Sequence, residues 1–321
     1  MTTPSQPPQV YVIAGPTASG KTSAGIALAK KIGGQIISAD SMQVYQGMDI
    51  GTAKPTLGEM DGIIHHMLSV KSPLDPFSVK EYQQMARGII HQLIQKNIPP
   101  IIVGGTGFYI NALIYDTQFF QENNRQDMIH QKDLALRESY QQFAHTHGPQ
   151  ELFKVLEALD PEYAKTLHPN NVKKVIRAIG YCQSTGQLFS TYNQQQRQKK
   201  CMYPTHFTLL TMAREELYRR IDQRVDAMWD LGLVDEVKNL LRLGCQPDSS
   251  AMQGIGYKEV IPYIHGQITK EETIARIQQA SRNYAKRQVT WFKHQLSKDQ
   301  MVTQIDVTHK TEREILCFMN I

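Results

Sequence analysis

The chain has 321 residues, 41% of them apolar and 20% charged, with a net charge of +5 and a sequence pI near 8.9. Such a composition suits one large soluble domain or two ordinary ones and excludes disordered, fibrous and membrane-embedded classes. The mild positive charge permits a nucleic-acid partner without demanding one. Cys182, Cys201, Cys245 and Cys317 lie far apart and form no C-x-x-C pair, which argues against a disulfide framework or a structural zinc. A reducing, cytoplasmic setting is expected. The opening "MTTPSQPPQ" has no signal-peptide pattern, and no apolar run is long enough to span a bilayer.

Residues 9–14 read as a buried strand and 20–32 as the helix that follows it. Residues 35–39 form a second short strand ending at Asp40, and 78–96 show helical spacing of Tyr82, Met85, Ile89 and Leu93. A further strand, 99–103, is stopped by Gly104-Gly105. Strand–helix alternation predicts an α/β fold, a parallel sheet of the P-loop NTPase type flanked by helices. Ligands collect at the carboxyl ends of such strands, so the loop after the first strand, Asp40 and Thr106 should meet at one edge. From 116 to 202 the pattern is helical, which predicts an insertion domain inside a core built from 1–115 and 203–321. A strand over 205–212 returns to the sheet. Helices are expected over 215–230, 233–243 and 271–296, with a short strand and helix after 301. The polar stretch 193–200, "NQQQRQKK", reads as a loop.

The sequence "GPTASGKTS" at 15–23 is a P-loop. Gly15, Thr17, Ala18, Ser19 and Gly20 allow backbone N–H groups to face a phosphate, and the helix that follows adds its positive end. Lys21 should reach the terminal phosphate and Thr22 should hold Mg²⁺. The strand "PPIIVGG" ends in Gly-Gly-Thr and not in the Asp of an NTPase metal site, which disfavours an ATP-driven motor or switch. Asp40 is a candidate general base, or else a turn residue in "ADSMQVY". Adjacent His65 and His66 diverge and make a poor metal site, so a structural role is expected. Trp229 and Trp291 fall in helical patterns and read as core. From 163 to 214 there is no acidic residue, while Lys165, Lys173, Lys174, Arg177, Arg197, Lys199, Lys200 and Arg214 are present. A helix over 172–182 would bury Val172, Val175, Ile176 and Ile179 and show a basic face suited to a phosphate backbone.

Six segments in order, "GPTASGKT", "SADSMQVYQGMDIGTAKP", "VGGTGFY", "HPNNVKKVIRAI", "GIGYKE" and "YAKRQVTWF", resemble bacterial tRNA dimethylallyltransferases, also called tRNA isopentenyltransferases, over roughly residues 10–295. Ile64 stands where that family often has proline. The resemblance implies that the P-loop takes dimethylallyl diphosphate with Mg²⁺, and that the acceptor is N6 of the adenosine 3′ of a tRNA anticodon. It implies Asp40 as base, and Lys21, Thr106 and Arg224 as catalytic, with Arg220 beside the diphosphate. Asp40, Ser41, Met42, Gln43 and Thr106 would contact the extruded adenine. Lys173, Lys174, Val175, Ile176 and Arg177 would contact the anticodon stem-loop. A monomer is expected. A P-loop small-molecule or nucleotide kinase, or a prenyltransferase acting on free adenylate, are the alternatives, and neither gives the acid-free insertion a purpose.

Overall fold

A computed structural model describes residues 9–117, 126–197, 200–295 and 302–319. The chain divides into two compact units, Met1–Tyr115 with Cys201–Ile321, and Asp116–Lys200. The unit boundary lies two residues earlier than the sequence suggests. Tyr115 bridges Cys201 antiparallel, and Met202 N–H donates to Ile114 O at 2.8 Å, so 201 and 202 belong to the core.

The core runs β1 (Val10–Ala14), α1 (Lys21–Ile32), β2 (Gln35–Ser38), α2 (Leu57–Met60), β3 (His65–His66), α3 (Val79–Gln95), β4 (Pro100–Gly104) and α4 (Gly107–Ile114). The second unit contributes α5 (Gln126–His147), α6 (Pro149–Leu159), α7 (Pro161–Ala164), α8 (Val172–Thr185) and α9 (Phe189–Arg197). The core resumes with β5 (Thr205–Thr211), α10 (Arg214–Asp230), α11 (Leu233–Arg242), α12 (Tyr257–Ile264), α13 (Lys270–Gln295), β6 (Val302–Asp306) and α14 (Glu312–Phe318). The described strands form one parallel sheet in the order β3-β2-β4-β1-β5-β6.

Period-two alternation divides the core between the sheet's faces. Ile13, Ile36, Ile101, Val103 and Leu210 pack with Leu28 and Ala29 of α1 and with Ile315 of α14. Val12, Ile37, Ile102, Phe207 and Leu209 join the larger cluster with Tyr82, Ile90, Ile110 and Phe292. Gly25 lets α1 lie tight on the sheet, because a Cβ there would sit 2.7 Å from Val103 Cγ2.

Two elements differ from the sequence expectation. The stretch 193–200 is not a loop throughout, because α9 continues to Arg197. Its start is anchored by Ser190 N–H donating to Asp160 Oδ2 at 2.7 Å, and Phe189 and Tyr192, three apart, pack on the insertion core. The side chains of Arg197 and Lys199 lie outside the described residues. The edge strand β3 is the His65–His66 pair itself. His66 Nε2 bonds Gln35 Oε1 at 2.8 Å and His65 Nδ1 bonds Ile63 O at 2.9 Å. Burial lowers the pKa of both imidazoles. All four cysteines are free. Among the described residues no helix is long and apolar enough to cross a membrane.

Candidate active site

The P-loop holds its shape through backbone conformation more than through side chains. Ala18 (φ 62°) and Gly20 (φ 83°) are left-handed, a backbone arrangement that turns successive N–H groups to one side. Gly15 is packed so closely that a Cβ would lie 2.7 Å from Leu210 O. Ser19 is buried, and its Oγ donates to Pro16 O at 2.8 Å. Gly20 caps α1 without a side-chain hydrogen bond, which leaves the first-turn N–H groups for an anion. Lys21 folds back over the loop, donating from Nζ to Pro16 O at 2.6 Å.

Parallel register brings the other candidates to the same edge. Ala14 pairs with Gly104, and Ser38 with Val103. Thr106 N–H donates to Ala39 O at 3.2 Å, and Ser41 N–H to Thr106 Oγ1 at 3.3 Å. Asp40 Oδ1 accepts from Met42 N–H at 2.9 Å and Gln43 N–H at 3.4 Å, so the turn role is real. Those bonds use one carboxylate oxygen.

Two adjoining cavities open here, of about 100 Å³ and about 310 Å³. Both are lined by Thr17, Asp40, Thr52, Ala53, Arg224 and Tyr284. The smaller one is polar, with Lys21, Thr22, Gln43, Gly105 and Gln288 in its wall. The larger adds an apolar side from Met42, Ile221, Val225, Met228, Ile255 and Ile277. Both lie within the core unit.

The charges explain one another. Burial, and then the Arg224 charge, pull Lys21 down to about 7, while Asp40 opposes the shift. Arg224 lines a concave wall, wetted by solvent yet surrounded by protein, and burial lowers its pKa as well. Burial and the nearby Asp40 charge push Tyr284 up to about 12, so its phenol stays protonated. A pocket that weakens two cations is one that stabilises an incoming anion.

Several expected site residues are placed elsewhere. Arg220 does not join the diphosphate site. Its Nε is tied to Glu216 Oε1 at 2.7 Å in a half-buried i,i+4 ion pair. Gly15 and Ser19 are buried and Thr106 is half-buried, and none of the three lines either cavity. Gln43 has its amide committed, with Oε1 accepting from Ser38 Oγ at 2.9 Å and Nε2 donating to Thr52 O and Ala53 O at 3.3 Å each. A base edge would have to displace one of those bonds. In the second unit, Val175 (0% exposed) and Ile176 (7%) are core residues and cannot present side chains to RNA, whereas Lys173, Lys174 and Arg177 are exposed. Of the tryptophans, Trp291 packs so tightly on Gly107 that no side chain fits between them, and Trp229 meets Tyr263 edge-on at 5.1 Å.

Sequence reasoning missed Gln288. Its Oε1 accepts from Thr17 N–H at 2.8 Å and its Nε2 donates to Gly105 O at 2.9 Å, joining P-loop to β4 turn. It also missed Tyr284, Arg287 and Lys258 as lining residues. They sit inside the motifs "YAKRQVTWF" and "GIGYKE", whose residue roles nothing local distinguishes. Among the described residues no group of three or more His, Cys, Asp or Glu could hold a metal. The available donors are the Thr22 hydroxyl and Asp40, which line the same small cavity, so a cation here would take its ligands mainly from phosphate oxygens and water. Mg²⁺ is bound that way when it bridges a phosphorylated substrate.

The family model described as IPP transferase matches residues 43–295. A tRNA dimethylallyltransferase of Geobacillus thermodenitrificans is 48% identical over 288 residues, 90% of this chain and 88% of that protein. The crystal structure of a tRNA isopentenylpyrophosphate transferase from Staphylococcus epidermidis is 40% identical, with a TM-score of 0.68 over 98% of this chain and 99% of its own. A eukaryotic dimethylallyltransferase solved acting on tRNA is 30% identical, with a TM-score of 0.81 over 94% of this chain and 74% of that one.

Proposed function

The chain belongs to the IPP transferase family and is a prenyltransferase enzyme, and from that premise we propose that it transfers the dimethylallyl group of dimethylallyl diphosphate to N6 of the tRNA adenosine 3′ of the anticodon. One observation carries the reading. A P-loop, a carboxylate and an arginine share a wall between a small polar cavity and a larger one with an apolar side. The polar cavity suits a diphosphate, and the larger suits a prenyl tail meeting a flat base.

The reacting amine is a weak nucleophile because its lone pair is delocalised into the adenine ring. Asp40 keeps one oxygen for its turn and uses the other to take the N6 proton as the nitrogen–carbon bond forms. Bond breaking leaves charge on the departing diphosphate. Arg224 and the N–H groups at the start of α1 border the cavity where that charge develops, and Lys21 joins them by exchanging its bond to Pro16 O for one to the diphosphate. Thr22 is the residue that would hold Mg²⁺, which supplies further neutralisation of the diphosphate. Tyr284 and the Thr106 turn hold the Asp40 side of the site in register. The main contribution of the protein is alignment of amine, carbon and leaving oxygen. An adenine inside a stacked loop cannot reach such a cavity, so it must be extruded. Lys173, Lys174 and Arg177 supply phosphate contacts to the stem. The enzyme acts as a monomer.

The test is transfer of labelled dimethylallyl to an unmodified tRNA by wild type and by Asp40→Asn. Asparagine keeps the oxygen that accepts the turn N–H groups and loses the base. We expect prenylated adenosine from wild type and a kcat lower by about 10²–10⁴-fold in the variant. Phosphoryl transfer from ATP with no prenyl transfer would instead indicate the kinase alternative.

A further inference from the structure

Three consecutive backbone N–H groups converge on a carboxylate that lines neither of the two catalytic cavities. Glu236 of α11 accepts through Oε2 from Asp49 N–H at 2.9 Å and Ile50 N–H at 2.8 Å. Its Oε1 accepts from Gly51 N–H at 3.0 Å and the Tyr257 hydroxyl at 2.7 Å. The bonds to 49–51 span 185 to 187 residues of sequence, so no local turn requires them. Gly51 is pressed on the Tyr257 ring, where a Cβ would come within 2.6 Å.

The held segment leads straight to the site. Thr52 and Ala53 follow Gly51, line both cavities, and offer their carbonyls to Gln43 Nε2. Gln43 N–H in turn donates to Asp40 Oδ1. Hydrogen bonds at both ends of the 49–53 backbone therefore link Glu236 to Asp40 without passing through the P-loop. We propose that Glu236 is a positioning residue for the acceptor base: it fixes the 49–53 wall of the larger cavity and, through Gln43, the orientation of Asp40. The proposal rests on the reading of that cavity as the acceptor pocket.

Glu236→Gln is the discriminating change. Glutamine has the same shape but one acceptor oxygen, and its amide nitrogen would face an N–H of the segment. With the folded variant we expect kcat to fall about tenfold to a hundredfold, the cost of a small misplacement of reacting groups. The KM for dimethylallyl diphosphate should stay within about twofold, because the P-loop is not part of this set of bonds. Tyr257→Phe removes one donor of the four and leaves the three backbone bonds, so it should lower kcat less, again without moving that KM. Hydrogen exchange of the 43–55 peptide reads the hold directly and needs no substrate. It should quicken in Glu236→Gln while the 15–22 peptide keeps its wild-type rate. Unchanged exchange at 43–55 would overturn the proposal. So would faster exchange with unaltered kcat, or a KM for dimethylallyl diphosphate that rises as kcat falls. If wild type itself transfers no prenyl group, the assigned reaction fails, and the exchange experiment still decides whether Glu236 holds the segment.

Discussion

Gln288→Leu tests how the P-loop is supported. Gln288 is 6% exposed, and its amide satisfies the Thr17 N–H at 2.8 Å and the Gly105 carbonyl at 2.9 Å. Leucine fills a similar volume and offers neither bond. The Gly105 carbonyl is fully buried, so leaving it unpaired costs about 1–3 kcal/mol, and the partly solvated Thr17 amide adds about 1 kcal/mol. Leucine recovers a fraction by burying carbon, and the net expectation is a loss of about 2–3 kcal/mol. Trp229 and Trp291 both lie in the core unit, so tryptophan fluorescence in urea reports that unit alone. At a slope of about 2–3 kcal/mol per molar, the midpoint should fall by about 1 M with the slope unchanged. A midpoint within about 0.2 M of wild type would refute the reasoning, because the buried Gly105 carbonyl cannot be left unpaired at no cost. Gln288→Glu sharpens the test. Its second oxygen would face the Gly105 carbonyl, and only the protonated acid can donate there. The folded pKa is then raised above the unfolded value near 4.3, so stability is fully present below that pH and lost as pH rises.

The lowered pKa of Lys21 gives a pH signature of opposite sense. Between about 7 and the ordinary value of 10.5 the unfolded chain holds a proton that the folded one does not. Stability of the free protein should therefore rise across that window by up to ~1.4 kcal/mol per pH unit, and Lys21→Met should flatten the rise in urea titrations run at pH 7, 8 and 9. Inorganic diphosphate should draw a proton onto Lys21 at pH 8, read as proton uptake by calorimetry in buffers of different ionisation enthalpy. Replacing Lys173, Lys174 and Arg177 together by alanine should reduce the salt dependence of tRNA binding by about two to three units of log–log slope, at ~0.7–0.9 per lost phosphate contact. An unaltered slope would place the phosphate contacts elsewhere.

Legibility in the sequence followed the range of the interaction. The P-loop was readable because a few adjacent residues dictate its backbone, and the parallel sheet because apolar runs alternate with helical spacing. Strand β3 was invisible because two residues carry no period, and the end of α9 because glutamines hide a helix whose anchoring residues, Phe189 and Tyr192, sit at its start. Helical spacing put Arg220 beside Arg224 and could not reveal that Glu216, one turn back, captures it. The motif around 172–177 gave the basic face correctly and blurred it, because Val175 and Ile176 share the motif while pointing inward. Gln288 and Glu236 act on backbone 183 to 271 residues away, so no window of sequence contains both partners.

The chain enters and leaves the 116–200 unit at adjacent points. Tyr115 pairs with Cys201, and Asp116 N–H donates to Lys200 O at 2.9 Å. To the sheet, that whole unit counts as a hairpin turn. Once folded, an insertion whose ends touch imposes almost no closure entropy on its host, however long it is. Insertions and deletions inside it therefore leave the pairing of β1 with β4 and β5 in register. The two units are free to diversify at different rates, and a turn of a few residues in place of the insertion should yield a core that still closes its sheet.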